Sequence, residues 1–166
     1  MTIREEIPAD AQAIAAVHRS SFPTPLEAEL VEMLRLDGDL SLSFVASIES
    51  EIVGHVAFCK AEVPKGESRV PVAWLAPLAV LPANRRKGIG TDLVIAGIEM
   101  CCGRGLDHAV VVGHPSYYGR FGFTHGAARK LESRWHCDAL MALSLRLGGC
   151  QLIGPLIEPK AFSLLA

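Results

Sequence analysis

The sequence predicts a mixed α/β (α+β) fold, and three observations carry that expectation. Two amphipathic helical stretches lie near the start, around residues 10–21 and 25–36. Two runs of alternating and β-branched residues, Leu42–Ile48 and Ile52–Val63, then flank the polar turn Glu49-Ser50-Glu51, the pattern of a β-hairpin. Finally, an apolar strand (Val72–Leu81) passes through a glycine-rich turn into an apolar helix and on to the short apolar run Ala109–Val112. Strand, helix, strand in that order implies a right-handed parallel crossover, so hairpin and crossover together make a sheet of mixed direction.

With 166 residues, half of them apolar, the chain can bury a sizeable core as one domain spanning residues 1–166. A net charge of −2 gives no general reason to expect nucleic-acid or membrane-surface binding. The five cysteines are odd in number and lack CxxC spacing, which argues against a zinc site or a disulfide framework and suits a reducing compartment. There is no cationic, apolar leader, and no apolar run of about 18 residues that could span a bilayer. A soluble, cytoplasmic protein is expected, without metal.

The elements follow in order. Residues 2–6 read as a short strand and Pro8-Ala9-Asp10 as a turn and helix start, with Ile14, Val17 and His18 on one helical face up to about Ser21. Phe22-Pro23-Thr24-Pro25 breaks that helix, because each proline disfavours helix in the residue before it. In the next helix Leu26, Leu30, Met33 and Leu34 share a face. Pro64–Ser68 reads as a loop between the second hairpin strand and Val72–Leu81. The helix after the glycines is expected from about Gly88 to Gly103, buried along Ile89, Leu93, Ala96 and Met100. A short helix beginning at Pro115 and stopping at Gly119 or Gly122, then strands near Phe123–Ala127 and Ala139–Leu147, complete the reading.

The chain is organised around Leu78–Thr91, where a strand hands three consecutive cations (Arg85, Arg86, Lys87) and two glycines (Gly88, Gly90) to a helix N-terminus. Exposed N–H groups and the positive end of the helix dipole make such a turn a grip for phosphate. The nucleotide P-loop pattern is absent. The dinucleotide fingerprint fails because position 93 is leucine and no acidic residue follows a second strand about 20 residues later. A third pattern, Arg/Gln-x-x-Gly-x-Gly/Ala, is met by Arg85, Gly88 and Gly90, and its glycines let consecutive N–H groups reach a diphosphate. Taken by itself, a solvated basic turn capping a helix explains the same residues.

Its surroundings favour the diphosphate. Leu78-Ala79-Val80-x-Pro82, Arg85-x-x-Gly88-Ile89-Gly90 and Tyr118-x-x-x-Gly122-Phe123 occur in the order and at the separations of the GCN5-related N-acetyltransferase (GNAT) superfamily, which the sequence resembles along nearly its whole length. Tyr117–Phe123, the early Glu29-Leu30-Val31 and the late Pro159-x-Ala161-Phe162 resemble its bacterial YhbS-like subgroup. The resemblance implies a mostly antiparallel seven-stranded sheet, splayed between its fourth and fifth strands, with about four helices around it. Acetyl-CoA would sit in the cleft, with Leu78, Ala79 and Val80 pairing their backbone to the pantetheine arm beside a bulge. Arg85, Arg86, Lys87, Gly88, Ile89, Gly90 and Thr91 would cradle the pyrophosphate, with Tyr117 beside them.

Acetyl transfer to an amine needs a neutral amine, a stabilised oxyanion and a proton for the thiolate. Deprotonating a lysine-like amine at pH 7 costs about 4.6 kcal/mol. The resemblance gives the proton-donor role to Tyr118, four residues before Gly122-Phe123, with its neighbour Tyr117 as the alternative; packing under the short helix is the structural reading of the same side chain. Strand residues 72–81 hold no carboxylate, where the family often has its base. Glu29 is the substitute taken here and His55 a further candidate, while His114 is a candidate to hydrogen-bond the pantetheine or the acceptor, or else a cap of the helix at Pro115. Cys59 lies near the expected cleft, while Cys101 and Cys102 read as packing. Trp74, Trp135 and Phe22 are candidate walls of the acceptor pocket.

The function so implied is transfer of acetyl from acetyl-CoA to a primary amine, on a small molecule rather than a polycation. The alternative is a non-catalytic CoA- or acyl-CoA-binding sensor or scaffold, and a nucleotide switch is the third reading. A homodimer is compatible with the resemblance.

Overall fold

The computed structural model describes residues 1–135, 137–149 and 151–165. Strand β1 (Thr2–Glu5) precedes helices α1 (Ala11–Ser21) and α2 (Leu26–Leu36). The hairpin strands are β2 (Leu40–Ile48) and β3 (Glu51–Lys65), turned through Glu49 and Ser50, both at positive φ. Strand β4 (Ser68–Val80), helix α3 (Ile89–Gly103) and strand β5 (His108–Val112) form the crossover. They are followed by α4 (Pro115–Tyr118), α5 (His125–Ala128), β6 (Leu131–Glu132), β7 (Leu140–Ser144) and β8 (Gly154–Pro155).

The main sheet has the order β1-β2-β3-β4-β5-β7, and its β4–β5 pair is parallel while its other pairs are antiparallel. That pair is registered at Ala73–Ala109, Trp74–Val110 and Leu75–Val111. Beyond Leu75 the two strands splay, and β4 runs on to Val80 paired to β3. Between the pairs Phe58–Leu75 and Val56–Leu78, β4 advances three residues against two on β3, which is the expected bulge. Pro77 lies within it, where a residue without an N–H costs the ladder nothing.

Alternation along β4 separates two core layers. Val72 and Trp74 face Leu30 and Leu34 of α2 together with Val110 and Phe162. Ala73 and Leu75 face Leu93 and Val94 of α3 with Phe58 and Val111. Helices α1 and α2 thus cover one face and α3 the other.

Several expectations are corrected. Among the described residues the main sheet has six strands rather than seven, because residues 123–127 make one isolated bridge, Thr124–Ala142, and then coil into α5, whose N-terminus Thr124 caps by accepting from Ala127 N at 3.2 Å. Strands β6 and β8 form a separate parallel pair. The supposed 64–68 loop shrinks to Gly66-Glu67, since Lys65 already pairs with Ser68. In α2 the buried residues are Ala28, Leu30, Val31 and Leu34, leaving Met33 exposed, because the helix must pack on α1 as well as on the sheet.

Trp74 is core, edge-on to Phe162 at 4.9 Å, and does not wall a pocket. Trp135 donates to Glu158 at 2.7 Å and lies under the Arg134 guanidinium, fastening the C-terminal segment. Cys59 is buried with its thiol on Trp74 O, and burial pushes its pKa up, which suits packing rather than nucleophilic chemistry. Cys101 is buried as expected, whereas Cys102 is exposed.

Candidate functional site

At the end of β4 the chain turns through Pro82–Asn84, and Arg86 and Gly88 adopt positive φ (60° and 83°) before α3 begins. A cavity of about 420 Å³ opens over this turn, lined by Val80, Arg85, Arg86, Gly88, Ile89, Gly90 and Thr91 on one side and Tyr117 and Arg120 on the other. Gly90 is required by close approach, since a Cβ there would lie 2.8 Å from the Tyr117 hydroxyl oxygen. Lys87 is exposed outside the cavity lining. The side chains of Leu78 and Val80 also pack towards Gly90. Ala79 is buried on the other face.

Arg85 is already engaged. Its Nε donates to Val80 O at 3.2 Å and its Nη2 to Ser21 O at 2.9 Å, and Ser21 Oγ also donates to Val80 O at 3.1 Å. This basic side chain therefore ties the C-terminal end of α1 to the end of β4. The charges least committed to protein partners here are Arg86 and Lys87.

Across the splay, α4 starts at Pro115 with His114 as its N-cap, the His114 carbonyl accepting from Tyr117 N and Tyr118 N. His114 itself is exposed. Tyr118 packs among Tyr117, Phe121 and Phe123, and its ring presses so closely on Gly113 that a Cβ there would lie 2.3 Å away. Burial, then the neighbouring Tyr117, pushes the Tyr118 phenol above its usual range, so it is held protonated. Tyr117 is also raised by burial, against the opposing effects of Thr91 and Arg120.

The α1 side holds a chain of polar groups that the sequence did not reveal. His18 Nε2 lies 2.8 Å from His55 Nδ1, His55 Nε2 lies 2.8 Å from Ser43 Oγ, and Ser43 Oγ donates to Glu6. Arg35 holds both Glu6 carboxylate oxygens, at 3.0 and 3.1 Å. Burial works to raise the Glu6 pKa. The nearby His55 imidazole, 3.7 Å away, then the Ser43 hydroxyl and Arg35, outweigh it and lower the group to about 2.

An ionised Glu6 only accepts, and this fixes each proton in turn. Ser43 donates to Glu6, His55 Nε2–H to Ser43, and His18 Nε2–H to His55. His18 Nδ1 is left as a buried lone pair without a partner among the described residues. Its ring lies parallel to Phe22 at 5.9 Å, so Phe22 covers this chain rather than standing free as a pocket wall. His55, read from sequence as a candidate base, is enclosed here, with burial pushing its pKa down.

Glu29 stands elsewhere. It lines a groove of about 490 Å³ between α1 and α2, with Arg19, Met33 and Leu164, and is not among the residues around the glycine turn. A concavity of about 570 Å³ near the end of α2 is lined by Asp37, Asp39, Glu62 and Glu158 with two lysines, and lacks a glycine cradle. No group of three or more His, Cys, Asp or Glu side chains among the described residues could hold a metal ion.

A β4–β5 splay, a bulge where it begins and a glycine turn opening α3 are the marks of an acetyltransferase fold of the GNAT class. Residues 2–126 match the acetyltransferase (GNAT) domain family, and the chain belongs to it. It is similar to the uncharacterized N-acetyltransferase YhbS of Escherichia coli K12, 42% identical over 138 residues covering 81% of this chain and 80% of the relative. It is also similar to YjhQ of the same strain, an uncharacterized N-acetyltransferase, at 39% over 124 residues, 73% of this chain and 68% of the relative.

The crystal structure of Escherichia coli YhbS in complex with CoA superposes with a TM-score of 0.89 over 98% of this chain and 91% of that one. Identity over that superposition is 34%. A GNAT family acetyltransferase of Brucella melitensis in complex with acetyl-CoA gives 0.81 at 29% identity, covering 97% of both chains. No helix among the described residues is long and apolar enough to cross a membrane.

Proposed function

We propose that the chain is a single-domain, cytoplasmic N-acetyltransferase that moves acetyl from acetyl-CoA to a primary amine on a small molecule by direct attack. The observation that carries this reading is the cavity over the glycine turn, closed on its far side by Tyr117 at the edge of the β4–β5 splay. The residues present fit the cosubstrate. Gly88, at positive φ, leaves open space over the turn, the N–H groups of the first turn of α3 have no side-chain cap among the described residues and can meet a diphosphate, and Arg86 and Lys87 add charge beside it. Backbone groups of Leu78, Ala79 and Val80 on the splayed side of β4 suit an extended pantetheine arm.

In the reaction the amine nitrogen forms a bond to the thioester carbonyl carbon, the C–S bond breaks, and the amine gives up a proton to solvent water. Tyr118, kept protonated by burial, donates to the leaving sulfur. Glu29 enters as a base only if the acceptor reaches the α1–α2 groove. A neutral surface favours a small acceptor over a polycation, and nothing in the charge pattern calls for nucleic acid or membrane; a homodimer is compatible with the reading.

Tyr118→Phe is expected to cut turnover by about 10²-fold or more while CoA affinity stays within about twofold, read by thiol release against an amine panel and by calorimetric titration. Full activity in that variant would remove Tyr118 from the acid role. A non-catalytic CoA-binding module is favoured by one feature, the lack of a carboxylate on β4 from Val72 to Val80. It predicts CoA binding with no thiol release for any amine. Replacing Arg86 and Lys87 together by glutamine is expected to weaken CoA binding and to flatten its dependence on salt. Unchanged affinity would return both to surface charge.

A further inference from the structure

We propose that Arg120 is a phosphate-binding residue of the CoA site, reaching the diphosphate turn from the opposite wall of the cleft. The inference rests on the acetyl-CoA reading above and adds a residue to it.

Arg85, the arginine of the glycine motif, commits its Nε and one Nη2 N–H to the backbone carbonyls of Val80 and Ser21. The cavity has a third guanidinium besides those of Arg85 and Arg86, and it comes from the turn after α4 rather than from the motif. Arg120 Nε donates to Tyr117 O at 3.1 Å, and its guanidinium carbon lies 4.5 Å from the centre of the Tyr117 ring. One edge of the fork is thereby fixed and one face is stacked. The other edge points at the first turn of α3, with Nη2 at 3.5 Å from Thr91 Oγ1, a contact at the limit of a hydrogen bond.

A planar donor so oriented, exposed, and held beside a helix N-terminus without a carboxylate partner matches a phosphate oxygen in charge and shape. Tyr117 is then the spacer of the arrangement. Its hydroxyl fills the space left by Gly90, and its ring and carbonyl set the guanidinium. The phosphate would be gripped from both halves of the splayed sheet, by α3 below β4 and by the segment following β5.

CoA offers two phosphate sources, the diphosphate and the 3′-phosphate of the ribose, and one titration series separates them. Wild type, Arg120→Ala and Arg120→Lys are each titrated with CoA, 3′-dephospho-CoA and acetyl-pantetheine. The expected result is a loss of about tenfold or more for CoA in Arg120→Ala, partial recovery in Arg120→Lys, and no change for acetyl-pantetheine. An equal loss with 3′-dephospho-CoA assigns the contact to the diphosphate, and a loss confined to CoA assigns it to the 3′-phosphate.

Affinity for CoA within twofold of wild type in Arg120→Ala overturns the proposal. So does an equal loss for acetyl-pantetheine, which would mean that the variant merely disturbs Tyr117. A wild-type protein that binds no CoA would overturn the acetyl-CoA reading and this inference together. Wild-type CoA binding with an indifferent Arg120 leaves that reading standing.

Discussion

Gly97→Val is expected to lower stability by about 3 kcal/mol or more, a large share of the roughly 5–15 kcal/mol that holds a domain folded. Gly97 lies in the middle of α3, where Phe58 of β3 presses against the helix. A Cβ at this position would sit 2.0 Å from one ring carbon of Phe58 and 2.5 Å from the next. Phe58 has no exposed surface, and Leu75, Leu93 and Val94 in the same layer are as deeply buried, so the ring has nowhere to move.

Glycine normally weakens a helix interior by about 1 kcal/mol relative to alanine, yet here even Gly97→Ala is expected to destabilise, by about 1–3 kcal/mol. The reversal of the usual helix ranking is the diagnostic result. Urea unfolding of both variants would show it, and a more stable Gly97→Ala protein would refute the account. Because α3 also presents Gly90 and Thr91 to the cavity, the surviving folded fraction should bind CoA more weakly.

That contact explains where the sequence was and was not legible. The hairpin, the crossover and the glycine turn were readable because each is written in local chemistry: β-branched alternation, Gly88 and Gly90 before an apolar helix, and Pro115 opening a short one. The face of α3 was not. Its apolar residues predicted burial along Ile89, Leu93, Ala96 and Met100, but the helix packs through Ile89, Leu93, Gly97 and Cys101. A glycine that receives a partner's ring carries no hydrophobic signal of its own.

The polar chain escaped for a related reason. Glu6, His18, Ser43 and His55 come from four segments, and no spacing in the sequence links them. Arg120 was visible only as one letter of a motif, and the carbonyl partners of Arg85 were not visible at all. Cavity-lining positions in a turn are local, whereas the donors left free around them depend on the tertiary fold.

The same polar chain should make the protein acid-labile well above the carboxylate range. His18 is folded into a site where burial, then the neighbouring His55, lowers its pKa from 6.5 to about 3. The unfolded chain therefore binds a proton near pH 6.5 that the folded chain refuses until about pH 3. A depressed histidine contributes stability that is fully present above its unfolded pKa and is lost as pH falls towards its folded one. By pH 4 the loss from His18 alone is about 3 kcal/mol, at 1.36 kcal/mol per pH unit, and His55 is shifted in the same direction.

Glu6, lowered from 4.5 to about 2, adds a second loss below pH 4.5, when the unfolded carboxylate protonates first. The steps are separable. Chemical denaturation from pH 7.5 to 3.5 should show stability falling from about pH 6.5 onward. In His18→Gln the upper part of that slope should flatten, and in Glu6→Gln the part below pH 4.5, even though both variants start from lower stability at pH 7. Breaking the partly buried pairing of Glu6 with Arg35 costs stability at every pH, so the slope and not the midpoint is the quantity that decides. A wild-type stability constant between pH 6.5 and 4.5 would mean that His18 titrates alike folded and unfolded, and that the chain from His18 to Glu6 is open to water.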